Sequence, residues 1–225
     1  MIAQEAIKTE LAAARSGFYK LLSIGFSRPG EDLYQSISSG EFEQAVRRGI
    51  VDIPWEQWRG QAPAAIAEDL GGPLDSYQDF ESQYIGTFEV GTPKVPCPLC
   101  EGSYRSGGHR GEVVLEVLTF YKAFALAISE EFKDLHDHIV AELEFMHFLT
   151  FKEGQARREG SDPDSYLRAQ RDFLEKHLGT MFPGLRDSAE RVLNGGFFLG
   201  LIRLTELFVA SDRAYLSRLL GGEIG

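Results

Sequence analysis

Between Gly91 and Gly111 the chain carries Gly91, Pro93, Pro96, Pro98, Gly102, Gly107, Gly108 and Gly111. Proline fixes φ and removes a backbone donor, and glycine loosens the chain. No regular element survives that density. The tract predicts a long irregular loop over about residues 89–111, dividing the chain into two halves. A loop of that length inside a compact domain is usually functional or disordered.

Both halves read as helix. From Ala3 to Phe26, Leu11, Ala14, Phe18, Leu21 and Leu22 recur at three- and four-residue steps, and Ser27-Arg28-Pro29-Gly30 ends the run. Short helices are expected over Asp32–Ser38 and Glu41–Arg48. Pro54 should start a helix over Trp55–Leu70, closed by Gly71-Gly72-Pro73. The next runs from about Leu74 to Phe88, with Tyr77, Phe80, Tyr84 and Phe88 at helical steps. Beyond the loop, Val113, Val114, Val117, Leu118, Tyr121, Phe124, Ala125 and Ile128 mark an apolar helix. Asp162 and Pro163 fit the N-cap and first position of another, running to His177-Leu178 with Gly179 as its stop. Pro183-Gly184 should restart the chain, and Asn194-Gly195-Gly196 should break it before Phe197–Phe208. A last short piece covers Ser211–Leu220. Nothing alternates like a strand. The expectation is one all-α domain spanning residues 1–225, with roughly ten helices in two lobes joined by the Gly/Pro-rich loop.

The stretch Asp134–Leu149 lacks glycine and proline. On a helical wheel Leu135, Ile139, Leu143, Met146 and Leu149 share one arc, with Phe145 at its edge. His138 and Glu142, four residues apart, fall inside that stripe. Burying either alone costs several kcal/mol, on the order of the usual desolvation penalty, so each needs a partner. One reading is a His138–Glu142 core pair that fixes packing. The other is a binding site. On the wheel Asp137 falls nearer solvent or a groove.

Cys97-Pro98-Leu99-Cys100 holds the chain's two cysteines. As a metal site it supplies two of the four ligands zinc takes, with His109 and either His136 or His138 as candidates for the rest. Glu101 follows directly, which excludes covalent haem attachment. A redox pair normally opens a helix, which proline flanks do not suit. Inert loop thiols are the third possibility. Catalytic motifs are missing: no P-loop, no G-x-S-x-G and no H-E-x-x-H. An enzyme would have to centre on His138 and Glu142.

The formal net charge of −11 argues against nucleic acid, which needs clustered Lys and Arg. It suits a basic peptide, and equally a protein kept soluble by its charge. Apolar runs are too short for a membrane span, and the N-terminus has no basic region followed by an apolar block. The cytoplasm is the default location. Monomer and dimer stay open.

Asp137-His138, three residues, Glu142, two residues, Phe145-Met146 resembles the D-H-x-x-x-E-x-x-F-M motif of one chaperone family. This is the TorD/DmsD/NarJ type, which matures twin-arginine-exported molybdoenzymes. His136 stands where many members carry Pro. Pro98, Glu101, Ser103 and Tyr104 resemble the family's P-x-Y-E-S-V-Y loop, with Cys100 in place of Tyr and Gly102-Ser103 in place of Ser-Val. Tyr84 and Phe88 resemble an aromatic-x-x-L-F element, with Thr87 replacing Leu. Phe173-Leu174-Glu175-Lys176-His177-Leu178 resembles F-L-x-x-H-L, and Met181-Phe182 occupies the neighbourhood of a frequent Trp. These matches span most of residues 80–180. The CxxC loop is similar to that of members serving periplasmic type II enzymes, such as chlorate, selenate or ethylbenzene-oxidising ones. The resemblance implies an all-helical chaperone with no catalytic activity and no cofactor of its own. Its partner would be a DMSO-reductase-family catalytic subunit, bound through its apo-form and N-terminal twin-arginine signal. Asp137 and Glu101 would take guanidinium groups, His138 would stand beside Asp137 held by Glu142, and Phe145, Tyr84, Phe88 and Tyr104 would line an apolar groove.

Overall fold

The computed structural model describes residues 2–55, 58, 61–72, 74–105, 107, 109–126 and 136–221. In chain order the helices are α1 (Ile2–Phe26), α2 (Glu31–Ser38), α3 (Glu41–Asp52), α4 (Gln61–Asp69) and α5 (Tyr77–Tyr84). After the loop come α6 (Arg110–Ala123), α7 (Ile139–Arg158), α8 (Asp164–Lys176), α9 (Leu178–Ala189) and α10 (Phe197–Gly221). A π-helical turn, Ile85–Glu89, extends α5, and a 3₁₀ turn, Glu101–Ser103, sits in the loop. Among the described residues there is no strand, only one isolated antiparallel bridge, Cys100 to His138.

The two halves of the sequence share one core. α1 lies along α7 in the most extensive helix pairing among the described residues. α10 is apolar nearly all round, with Phe197–Ile202, Leu204 and Phe208 buried, so it packs on α4, α8, α9 and α1 together. Phe208 stacks on Trp55 at 5.6 Å between ring centroids and touches Phe18, Tyr19 and Trp58. A second aromatic group joins Phe80, Tyr84 and Phe88 to Phe198.

A buried polar network crosses this core. Arg15 of α1 donates to Asp212 of α10 at 2.8 Å, to Glu153 of α7 at 2.8 Å and to Gln170 of α8. Tyr19 adds a 2.6 Å bond to Asp212. Arg15, Glu153, Gln170 and Asp212 have no exposed surface. One guanidinium satisfies groups from three other helices, as a buried charge requires.

Several helix limits differ from the sequence reading. Among the described residues of the expected Trp55–Leu70 helix, only those of α4 are helical; Trp55 and Trp58 precede it as core side chains. The helix expected from Asp134 starts at Ile139 instead, because the Asp137 carbonyl and the Ile139 N–H are bonded to the loop. Glu101 N–H donates to Asp137 O at 2.8 Å, and Ile139 N–H to Leu99 O at 2.8 Å. His138 is thus the extended N-cap of α7 (φ −84°, ψ 137°) rather than a stripe residue. Leu135 and Ile128, read as apolar stripe positions, lie outside the described residues.

Gly179 does not stop a helix. The backbone kinks at His177 (φ −127°, ψ −101°) and α9 begins at once. A Cβ on Gly179 would sit 2.4 Å from the Leu174 carbonyl, so this close turn needs glycine. Pro183 lies inside α9, in its second turn, where it removes one helical bond without ending the helix. α10 runs unbroken from Phe197, after Gly195 (φ 136°) and Gly196 (φ 82°), through the expected break near Ser211.

Candidate functional site

Residues 97–104 thread between α7 and α9, and backbone bonds hold them there. Cys97 N–H donates to Thr87 O at 2.9 Å, in the π-helical turn. The pair of bonds around Cys100 and His138 follows. Tyr104 lays its ring on α9, where a Cβ on Gly184 would meet it at 2.7 Å. A loop so poor in regular structure must find partners for its buried amides, and the Asp137–Ile139 backbone supplies them.

Three carboxyl groups are thereby buried close together: Glu101, Asp137 and Glu142. Asp137 accepts from Gly102 N–H at 3.1 Å. It also accepts two-pronged bonds from Arg110, Nη2 at 2.9 Å and Nε at 3.1 and 3.2 Å. Arg110 Nη2 also lies 3.3 Å from Cys100 Sγ. Glu101 faces His177 Nδ1 at 3.1 Å and accepts a 3.5 Å bond from the Thr180 hydroxyl. The Arg105 guanidinium lies 3.8 Å from Glu101.

The Glu142 carboxyl is fully buried, and neither oxygen makes a hydrogen bond among the described residues. Burial above all, then the negative charges of Glu101 and Asp137, push its pKa well above the usual 4.5. Both causes favour its neutral form.

The aromatic wall behind these groups comes from three helices. Phe145 packs against Tyr121 at 4.8 Å and Phe173 at 4.9 Å, and Phe120 meets His177 edge-on at 5.3 Å. Outside His177 lies an open depression of about 310 Å³ lined by Arg105, Glu116, Thr119, Phe120, Lys176 and His177. α6 beside it leaves Leu115 exposed.

The structure gathers Asp137, His138, Glu142, Phe145, Glu101 and Tyr104 around one loop anchor, but with altered roles. Asp137 is wholly buried rather than open to a groove. Glu142 does not hold the His138 ring: its N–H donates to the His138 carbonyl, and His138 Nδ1 accepts from Val140 N–H at 3.3 Å as a cap. Burial, the dominant cause, lowers the His138 pKa to about 4.

Tyr84, Phe88 and Phe145 are core side chains, not groove walls, because each ring finds aromatic partners inside. Tyr84 also spends its hydroxyl on Phe26 O at 2.9 Å. Arg110 was missed by the sequence reading; the one signal for it is a cation in the first turn of a helix, where the dipole disfavours it.

The described residues do not support the metal reading. Cys97 is buried, Cys100 contacts Arg110, and His109 is an exposed N-cap of α6. Among the described residues no group of three or more His, Cys, Asp or Glu is arranged to hold a metal ion. Burial raises both thiols to about 11, so neither is a ready thiolate.

Comparison with known proteins bears on the same loop and helices. The model of the nitrate reductase delta subunit family matches residues 56–187. A perchlorate reductase assembly chaperone protein of Dechloromonas aromatica is 36% identical over 90% of this chain and 89% of its own. A selenate reductase assembly chaperone protein of Thauera selenatis is 36% identical over 79% of this chain and 77% of its own. A chlorate reductase assembly chaperone protein of Ideonella dechloratans is 34% identical over 69% and 78%. The motif residues, the loop they anchor and these relatives agree: the chain belongs to the nitrate reductase delta subunit family, the TorD/NarJ type of redox-enzyme assembly chaperones.

Proposed function

We propose that this protein is a cytoplasmic chaperone for the catalytic subunit of a DMSO-reductase-family molybdenum enzyme. It binds the subunit's N-terminal twin-arginine signal and its apo-form, and keeps both from export while the cofactor enters. The observation that carries this reading is the identity, over most of the chain, with relatives named as reductase assembly chaperones. A client of the perchlorate, selenate or chlorate reductase class fits those relatives best. No described helix is long and apolar enough to cross a membrane, and the net charge of −11 favours a basic peptide.

Within this reading the residues take different parts. His138, Tyr104 and Arg110, which covers the buried Asp137, form the part of the anchor that reaches the surface. Glu101 supplies negative charge and Glu142 a polar carboxyl group beneath it. Phe145, Tyr84 and Phe88 shape the site from behind, through the core. The exposed Leu115 and the depression beside Phe120 give the apolar part of a signal peptide a place to lie.

The test is co-expression with the candidate catalytic subunit, with and without its signal. The chaperone should co-purify with the apo-subunit and lose most of that yield when the signal is deleted. Calorimetric titration should show the isolated signal binding, and His138→Ala should weaken it while changing stability by about 1 kcal/mol or less, as a modest cap does. Failure of both apo-subunit and signal to bind would remove the reading.

A further inference from the structure

Arg110 is the first residue of α6, and a cation there faces the positive end of the helix dipole. Its position follows from the carboxylate it serves. The side chain crosses directly over Gly102, where a Cβ would come within 2.6 Å of Arg110 Cγ. It then presents its planar fork to both Asp137 oxygens, with Cys100 Sγ at its edge. Asp137 has no exposed surface, whereas the Arg110 side chain is 48% exposed. A buried carboxylate, fixed by Gly102 N–H and by the Cys100–His138 bridge, is therefore capped by an arginine whose side chain stands half in solvent.

We propose that Asp137, Gly102 and Cys100 form a guanidinium receptor that Arg110 fills in the free protein, and that an arginine of a partner peptide fills by displacing it. The ligand class follows from the group already seated there. Carboxylate and guanidinium match in plane and spacing, which an ammonium cannot reproduce. An internal occupant lowers the apparent affinity for an external one by the fraction of time the receptor is free. It also keeps Asp137 paired whenever no partner is bound. That the partner is the client's signal rests on the function proposed above; that the receptor takes a guanidinium does not.

Arg110→Ala empties the receptor, and Arg110→Lys keeps the charge but removes the fork, in case the alanine variant folds poorly. Millimolar methylguanidinium should raise the melting temperature of either variant, and methylammonium should not. Neither should shift wild type, nor Arg110→Ala combined with Asp137→Asn. A synthetic peptide with paired arginines before an apolar stretch should bind Arg110→Ala about tenfold tighter than wild type, and its paired-lysine version should not gain.

No rescue by methylguanidinium overturns the receptor. Equal or weaker peptide binding by Arg110→Ala overturns the exchange while leaving signal binding in place. Rescue without peptide binding to either protein upholds the receptor and rejects the signal as its occupant.

Discussion

Glu142 and His138 titrate in opposite senses, and both set the pH profile of the loop anchor. The folded pKa of Glu142 is raised, so the native state keeps a proton that the unfolded chain releases above about 4.5. Its stabilising contribution is full below that pH and is lost as pH rises toward the folded value. The folded pKa of His138 is depressed to about 4. Its contribution is full above the ordinary 6.5 and is lost as pH falls toward 4. Glu142→Gln should therefore remove the loss of stability on going from pH 5 to pH 8, leave the acid limb in place, and stabilise the protein at pH 8. Urea unfolding at pH 5, 6.5 and 8 checks this; an unchanged slope above pH 5 would mean that Glu142 is ionised in the fold. The thiols give a second residue-level prediction. With both raised to about 11 by burial, native protein at pH 7.5 should alkylate slowly with iodoacetamide, and Cys97 only after unfolding. Rapid labelling of Cys97, read by mass spectrometry, would show that the loop opens.

Among the elements, the join between α1, α7, α8 and α10 carries the most charge in the least water. Arg15→Ala would leave Asp212 and Glu153 buried without their guanidinium, and should cost about 3–5 kcal/mol. Arg157, whose Nε lies 3.0 Å from Glu153, would still serve one of them. A cost within about 0.5 kcal/mol in urea unfolding, as at an unremarkable surface position, would contradict the network. This join was illegible in the sequence, since Arg15 lies 197 residues from Asp212 and 138 from Glu153. What could be read was set by local chemistry. The all-α class, the limits of α1 and α2 and the Gly195-Gly196 start of α10 follow from nearby glycine, proline and periodicity. The start of α7, the kink at His177 and the tolerance of Pro183 are set by tertiary contacts, and there local rules gave the wrong boundary. At the site, motif resemblance named Glu101, Asp137 and Glu142 as candidates, whereas His177 entered only as part of the F-L-x-x-H-L match and was given no role. Which carboxyl meets which base depends on how residues 97–104 dock, and no helical wheel encodes that.

For the whole molecule the deciding fact is how the halves meet. A Gly/Pro-rich tract reads as a divider, yet α1 from the first half lies along α7 from the second, and α10 reaches back to α4. Trp55 and Trp58, both before the loop, close against Phe208 beyond it. Opening either half alone would expose these rings and strand Arg15 from its acids, so a state with one half folded loses most of its core as well as its charge pairing. Unfolding should therefore be one cooperative transition. In urea, tryptophan fluorescence, which reports the Trp–Phe208 contact, should trace the same curve as far-ultraviolet circular dichroism, which reports every helix. The starting spectrum should be strongly helical with almost no sheet signal. Circular dichroism trailing fluorescence to higher urea would mean that the later helices outlast the tryptophan contact, and that the two halves are lobes with separate stabilities rather than partners in one core.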